Sequence, residues 1–208
     1  MNRRRQSLAL IEFESAAFGM LAVDRMIKRS PIAVLRCGTV HPGRYLVLVG
    51  GSVASTEEAY EAALAVGEVR DSVLLPDPHP ALDDAVDDRP AAPVPGEPEA
   101  EAMAVVETLS SPALLRSIDA ALKAAPVRLN ELRLSDDLGG RGLAVMTGGL
   151  TDLQAALDAA DDQVGGGLMA ARTLMPRAES LLQEIVGGGT SFRNCGRREP
   201  AGAETVEG

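Results

Sequence analysis

The sequence predicts an α+β protein built from two tandem copies of one β-α-β-β-α-β unit, each an antiparallel sheet layered with helices. Three observations predict it. The chain repeats itself at a nearly constant offset. Its apolar residues switch between helix and strand periods in the same order in each copy. Gly- or Pro-containing turns punctuate those switches.

The repeat is specific. "IEFESAAFGMLAVDRMIKRSPIAVL" (11–35) aligns with "VETLSSPALLRSIDAALKAAPVRLN" (106–130) at an offset of 95. This sets Glu12 on Glu107, Ser15 on Ser110, Asp24 on Asp119, Lys28 on Lys123 and Pro31 on Pro126. At an offset of 97, "PGRYLVLVGGSVASTEEA" (42–59) matches "GGRGLAVMTGGLTDLQAA" (139–156). Coincidence of polar and special residues at one spacing marks a duplication.

Each element follows from local pattern. "LALIEF" reads as a buried strand, and Ala16, Met20, Val23 and Ile27 then recur at helical spacing as an expected apolar face. In the second copy Ser111 can cap, Pro112 suits a first helical turn, and Leu115, Ile118 and Leu122 carry the stripe. "IAVLRC" or "VRLNELRL" is the next strand, forming a hairpin with "RYLVLV" or "GLAVMT" across a Gly-containing turn. The second helix is expected to open at Ser55/Glu58 or Thr151/Asp152 and to end at Gly67 or Gly165. "SVLLP" and "ARTLMP" supply the last strand. About eighty residues make a small core, so the copies are expected to lean on each other or on other chains.

Composition narrows the function. The net charge of −10 argues against nucleic acid, and only 2% of residues are aromatic, which leaves little to stack on a base or sugar. Residues 76–101 hold Asp77, Asp83, Asp84, Asp87, Asp88, Glu97, Glu99 and Glu101 against Arg89 alone. Residues 76–102 also hold seven of the thirteen prolines, the composition of an extended, solvated linker. The expected division is a basic arm at 1–7, a first domain at 8–80, an acidic Pro-rich linker at 81–102, a second domain at 103–186, and a disordered tail at 187–208. Cys37 and Cys195 show no disulfide spacing, which suits a reducing cytoplasm. The N-terminal apolar run, broken by Glu12, is too short for a signal peptide, and no run reaches a membrane-spanning length.

Candidate chemistry is sparse. His41 in "TVHPGR" is either a ligand, a base, or the tip of a tight turn; no HxH, HxxxH or CxxC pattern accompanies it. Cys37 is expected to be a small buried hydrophobe, and His79 in "PDPHPAL" to be exposed. Asp24/Lys28 and Asp119/Lys123 are i, i+4 pairs that suit a helix surface, and their recurrence hints at a shared surface role. The turns "VHPGR" and "LGGRG" lack P-loop or dinucleotide spacing, while "VGGSV" and "TGGLT" each follow a strand and precede a helix, a weak signal for an anion at a helix N-terminus. No Ser-His-Asp set and no paired acid/base carboxylates emerge, so the chain reads as a non-enzyme.

In this order, Glu12/Ser15, Asp24/Lys28, the Pro42/Gly43 turn, a strand ending at Gly50/Gly51, and Pro76/Pro78/His79 resemble the bacterial microcompartment (BMC) shell domain. The duplication makes the chain similar to the tandem-domain shell proteins of that family, over residues 8–80 and 103–180. The resemblance implies two tandem ferredoxin-like BMC domains and a trimer whose six domains form a pseudohexameric tile with a central pore. It implies tile-edge roles for Lys28, Lys123 and Arg177, although the first copy has Asp77 where the second has Arg177. It implies a pore lined by His41, Pro42, Gly43, Leu138, Gly139 and Gly140. A metal is implied only at His41, and only across the threefold axis, where three copies converge. No other cofactor is implied. The implied partners are copies of itself, other shell proteins, encapsulated enzymes and small polar metabolites; nucleic acid and membrane are not among them. The implied location is the microcompartment shell in the cytoplasm. The alternative from a different class is a trimeric ferredoxin-like regulatory protein that binds a ligand.

Overall fold

A computed structural model describes residues 5–89, 102–135 and 138–191. The first copy runs β1 (Ser7–Phe13), α1 (Ala16–Arg29), β2 (Ala33–Val40), β3 (Arg44–Gly51), α2 (Val53–Leu64), β4 (Val69–Pro76) and α3 (Pro80–Ala85). The second runs β5 (Ala102–Thr108), α4 (Ser111–Ala124), β6 (Arg128–Leu134), β7 (Gly142–Gly148), α5 (Leu150–Val164), β8 (Met169–Met175) and α6 (Ser180–Gly187). The sheets have equivalent orders, β2-β3-β1-β4 and β6-β7-β5-β8, and every pairing is antiparallel. Even the irregularities repeat. Register breaks fall at Glu12/Phe13 and Glu107/Thr108, and again at Val34/Arg36 and Leu129/Glu131.

β1 is buried along its whole length, because its sheet is covered on both faces. Ala9, Ile11 and Phe13 point to α1 and α2, against Ala22, Met26, Ala59 and Ala63. Leu8 and Leu10 point the other way, into a cluster with Val73, Leu75, Leu82 and Val86 that continues into Leu115, Ile118 and Leu122 of α4. The second copy's helix therefore packs on the first copy's sheet, and the two copies share one core.

The two copies solve the same packing problem with opposite residues. A Cβ on Gly19 of α1 would collide with the Tyr45 ring of β3. At the equivalent places α4 has Leu114 and β7 has Gly142, where a Cβ would lie 2.7 Å from Leu114 Cβ. Large and small residues have exchanged sides, which preserves volume between helix and sheet.

Several expectations are corrected. The apolar face of α1 toward its own sheet is Gly19, Ala22 and Met26, whereas Met20 and Ile27 stay exposed. The small residues face inward because the Tyr45 ring fills that space. α2 starts at Val53, with Ser52 as its cap accepting from the Ser55 amide, so the helix begins before the expected box. α5 likewise begins at Leu150 behind Gly149.

The start of the expected linker is not solvated: it folds as α3, with Leu82 and Asp83 buried in it and Val86 buried just beyond. The apolar pair Leu82 and Val86 has a greasy sheet face to cover, which outweighs the acidic composition around it. Arg5 is tied to this segment as well, donating to Asp83 Oδ1 at 2.6 Å and to Asp87 at 2.6 Å. The start of the expected disordered tail (187–208) is folded too: Gly187 ends α6 and Thr190 donates from its amide to Glu131 Oε1 at 3.0 Å, whereas residues 90–101 and 192–208, including Cys195, lie outside the described residues.

Gly19→Leu is expected to cost about 1–3 kcal/mol through overpacking. Adding Tyr45→Gly, which copies the second domain's pair, should recover part of that loss. Urea unfolding of both variants measures it; full tolerance of Gly19→Leu would refute the close approach.

Candidate functional site

The densest polar arrangement lies where the second copy docks on the first. Asp71, on β4, accepts a hydrogen bond from the Ser110 hydroxyl at the α4 N-terminus. Its two oxygens also accept from Arg116 Nη1 at 3.1 and 3.3 Å and from Nη2 at 3.3 Å. Arg116 is held from behind, donating through Nε at 3.1 Å and Nη2 at 2.9 Å to the Val164 carbonyl. Beside it, Glu12 is fully buried and accepts from Arg44 Nη1 at 2.8 Å and from the Ser111 amide at 3.3 Å. A carboxylate at a helix N-terminus answers unpaired amides and the helix dipole together.

About two turns further along α4, Asp119 does two jobs. One oxygen accepts from Lys123 Nζ at 2.5 Å and the other from the His79 amide at 2.7 Å. The expected solvated Asp–Lys pair is thus a cross-domain clasp in the second copy. In the first copy the equivalent pair, Asp24 with Lys28 at 2.7 Å, is exposed.

The two Gly-containing turns come together. His41-Pro42-Gly43 ends the β2–β3 hairpin, with a cis peptide before Pro42 and Gly43 at φ +96°. Gly139 and Gly140 adopt φ +61° and +86°, a region open to glycine. A Cβ on Gly140 would lie 2.5 Å from Arg44 Nη1 and 3.2 Å from the His41 carbonyl oxygen. Each turn is braced by an Arg–Glu pair, Arg44 to Glu12 and Arg141 to Glu107, both at 2.8 Å. The first pair is buried under the neighbouring copy; the second is partly open to solvent. Leu138 follows Asp136 and Asp137, which lie outside the described residues.

Two side chains differ from expectation. Cys37 stands opposite Val47 on the helix-covered face but is exposed because β2 is an edge strand. Burial pushes the Tyr45 phenol up, aided by its hydrogen bond to Cys37. His79 is half-buried and caps α3, accepting from the Ala81 amide at 3.2 Å. Arg177 is exposed just after β8. Among the described residues no three His, Cys, Asp or Glu side chains converge to hold a metal within one chain. Sequence reasoning passed over Asp71 and Arg116. A signal existed, because these are positions where the aligned copies differ, Asp71 against Ala171 and Arg116 against Leu21.

The class these features define is a tandem-repeat protein whose densest polar contacts lie in the seam between two like domains. Residues 7–78 and 102–178 each match the BMC domain, and the chain belongs to that family. It is 31% identical over 193 residues to the bacterial microcompartment shell protein PduT of Citrobacter freundii, covering 88% of this chain and 99% of that one. A solved microcompartment protein from Desulfitobacterium hafniense superposes with a TM-score of 0.72 at 27% identity, over 86% of this chain and 98% of that one. A fused permuted hexameric shell protein of the RMM microcompartment shares the fold, with a TM-score of 0.53 at 20% identity over 76% of this chain and 83% of that one. The protein is a shell protein of a bacterial microcompartment. Nothing in the family or these relatives supports the regulatory alternative. No helix among the described residues is long and apolar enough to cross a membrane.

Burial pushes the Glu12 carboxyl up, against the pull of Arg44, the Ser111 amide and Arg70. A raised carboxyl value in the fold means that its stabilising contribution is present below the ordinary value of 4.5 and is lost as pH rises through the folded value. The wild type is therefore expected to lose unfolding free energy relative to Glu12→Gln from pH 4.5 upward. Urea midpoints at several pH values measure this, and a constant difference would contradict it.

Proposed function

We propose that three copies of this chain close into a ring of six domains, a pseudohexagonal tile of the shell with a pore on its axis. One observation carries the reading. Leu115 and Leu122 of α4 are 0% and 4% exposed because the first copy's sheet covers them. Their counterparts on α1, Met20 and Ile27, are 57% and 56% exposed. The same helix face is covered in one copy and bare in the other, and repetition of the internal seam between chains covers it. Burying a large aliphatic side chain stabilises by about 1.5–3 kcal/mol, so several per seam support association. Such a head-to-tail contact closes when its rotation divides the circle.

The same repetition carries the turns around the axis. Gly43 of each chain would pack on Arg141 of the next, as Gly140 packs on Arg44 within the chain. His41, Pro42, Gly43, Leu138, Gly139 and Gly140 then line the pore, three times each. Glycine turns exposing backbone polar groups suit passage of small polar metabolites. Three His41 side chains on the axis can hold a metal by their ring nitrogens, a site that one chain does not form. At the rim, Lys28, Lys123 and Arg177 serve tile-to-tile contacts, with long stems lying along a neighbour. Other shell proteins are the neighbours and the encapsulated enzymes lie inside, while the tile itself performs no catalysis.

Lys28→Ala with Lys123→Ala is expected to abolish sheets in negative-stain microscopy while leaving trimers by light scattering. Loss of the trimer would count against the edge assignment. His41→Ala is expected to lower the metal content of the purified trimer, or change solute passage, without altering its melting temperature. Unchanged metal and unchanged flux would remove His41 from the pore role.

A further inference from the structure

The two copies present equivalent helix and sheet positions whose residues differ in chemistry. We infer that one pair of positions encodes which domain docks on which, with Leu21 of α1 seated against Ala171 on β8 of a second copy of this chain. The inference rests on the ring reading above.

The equivalence of positions comes from register. Glu12 lies opposite Asp71 on β4, and Glu107 lies opposite Ala171 on β8, each one step before the same bulge. α1 and α4 are both 14 residues long at the repeat offset, which sets Leu21 on Arg116. Inside the chain this pair of positions is Asp71 with Arg116, a two-oxygen ion pair at 3.1 Å reinforced by Ser110. Between chains it is Ala171 with Leu21. Both members have changed together, from an ion pair to an apolar contact, and each seam is consistent in itself. In the free chain Leu21 is 41% exposed and Ala171 is exposed.

Mixed seams are penalised. A first-copy helix on a first-copy sheet would set Leu21 over Asp71, leaving a part-buried carboxylate without its arginine. A second-copy helix on a second-copy sheet would set Arg116 over Ala171, leaving a guanidinium without its carboxylate. Removing one partner of a buried charged pair costs more than the pair contributes, so the mismatch acts as discrimination against the wrong partner. Only α1 on a β8-bearing sheet and α4 on a β4-bearing sheet remain. First and second copies then alternate around the ring.

The Glu12 environment repeats in the same sense. Its seam is completed by the Ser111 amide of α4. Glu107 has the corresponding place open, and the first amides of α1 in a second copy are the donors that fit it.

The test uses the full chain with Leu21→Arg, Ala171→Asp, and both together, followed by sedimentation velocity over a concentration series. Both positions are exposed in the single chain, and thermal melting by circular dichroism confirms that each variant folds. Each single substitution is expected to raise the concentration at half-assembly by about tenfold or more, since each buries an unpaired charge. The double variant writes the internal ion pair into the external seam and is expected to return to within about threefold of wild type. A trimer untouched by either single substitution, or a double variant no better than the weaker single, would overturn the pairing while leaving the ring intact. A wild-type chain that stays monomeric at every concentration would overturn the ring and the pairing with it.

Discussion

The face of β1 that carries Leu8, Leu10 and Glu12 has no helix of its own domain long enough to cover it, and the rest of the structure depends on how it is closed. A four-stranded sheet with helices on one side leaves its second face exposed to water, and here that face is aliphatic. α3 covers part of it, and α4 from the second copy covers more. The burial is shared between domains, so neither copy is complete alone. The same argument, applied to the bare face of α1, makes the chain incomplete as a single molecule.

Polar groups fix the geometry that apolar burial leaves loose. Hydrophobic contact is non-directional, and leucines sliding over leucines would tolerate many docking angles. Asp71 holds α4 at its start, Asp119 ties the middle of the helix to the His79 amide, and Glu12 receives the first amide of the helix. Three directional contacts on one rigid helix set its position and its rotation. The two glycine turns inherit this precision, because Arg44 links Glu12 in the seam to Gly140 of the neighbouring turn.

Duplication followed by divergence lets two copies of one fold differ in chemistry at equivalent positions, as Asp71 with Arg116 in the seam against Ala171 and Leu21 on the exposed surface. Glu12 and Glu107 show the divergence in accessibility, one buried and one partly open, while each keeps the equivalent arginine partner, Arg44 or Arg141. Gly19 with Tyr45 against Leu114 with Gly142 shows it in the core, where volume is conserved though the residues are not.

The amino-acid sequence by itself determined the duplication, the order of elements, the hairpins and the turn at His41-Pro42-Gly43, because these rest on local periods and on glycine and proline chemistry. It also carried the family resemblance, through motifs that recur at the repeat offset. Only the tertiary structure decided which face of α1 is inner, since Met20, Val23 and Ile27 form as regular a stripe as Gly19, Ala22 and Met26. Periodicity reports that a face is apolar and not what covers it. Burial of Glu12, the clasp by Asp119, the folding of Pro80–Ala85 as a helix, and the hub at Asp71 all arise from residues distant in sequence. Each is a charge or an apolar side chain whose meaning depends on what is opposite, and that partner is supplied by the other copy.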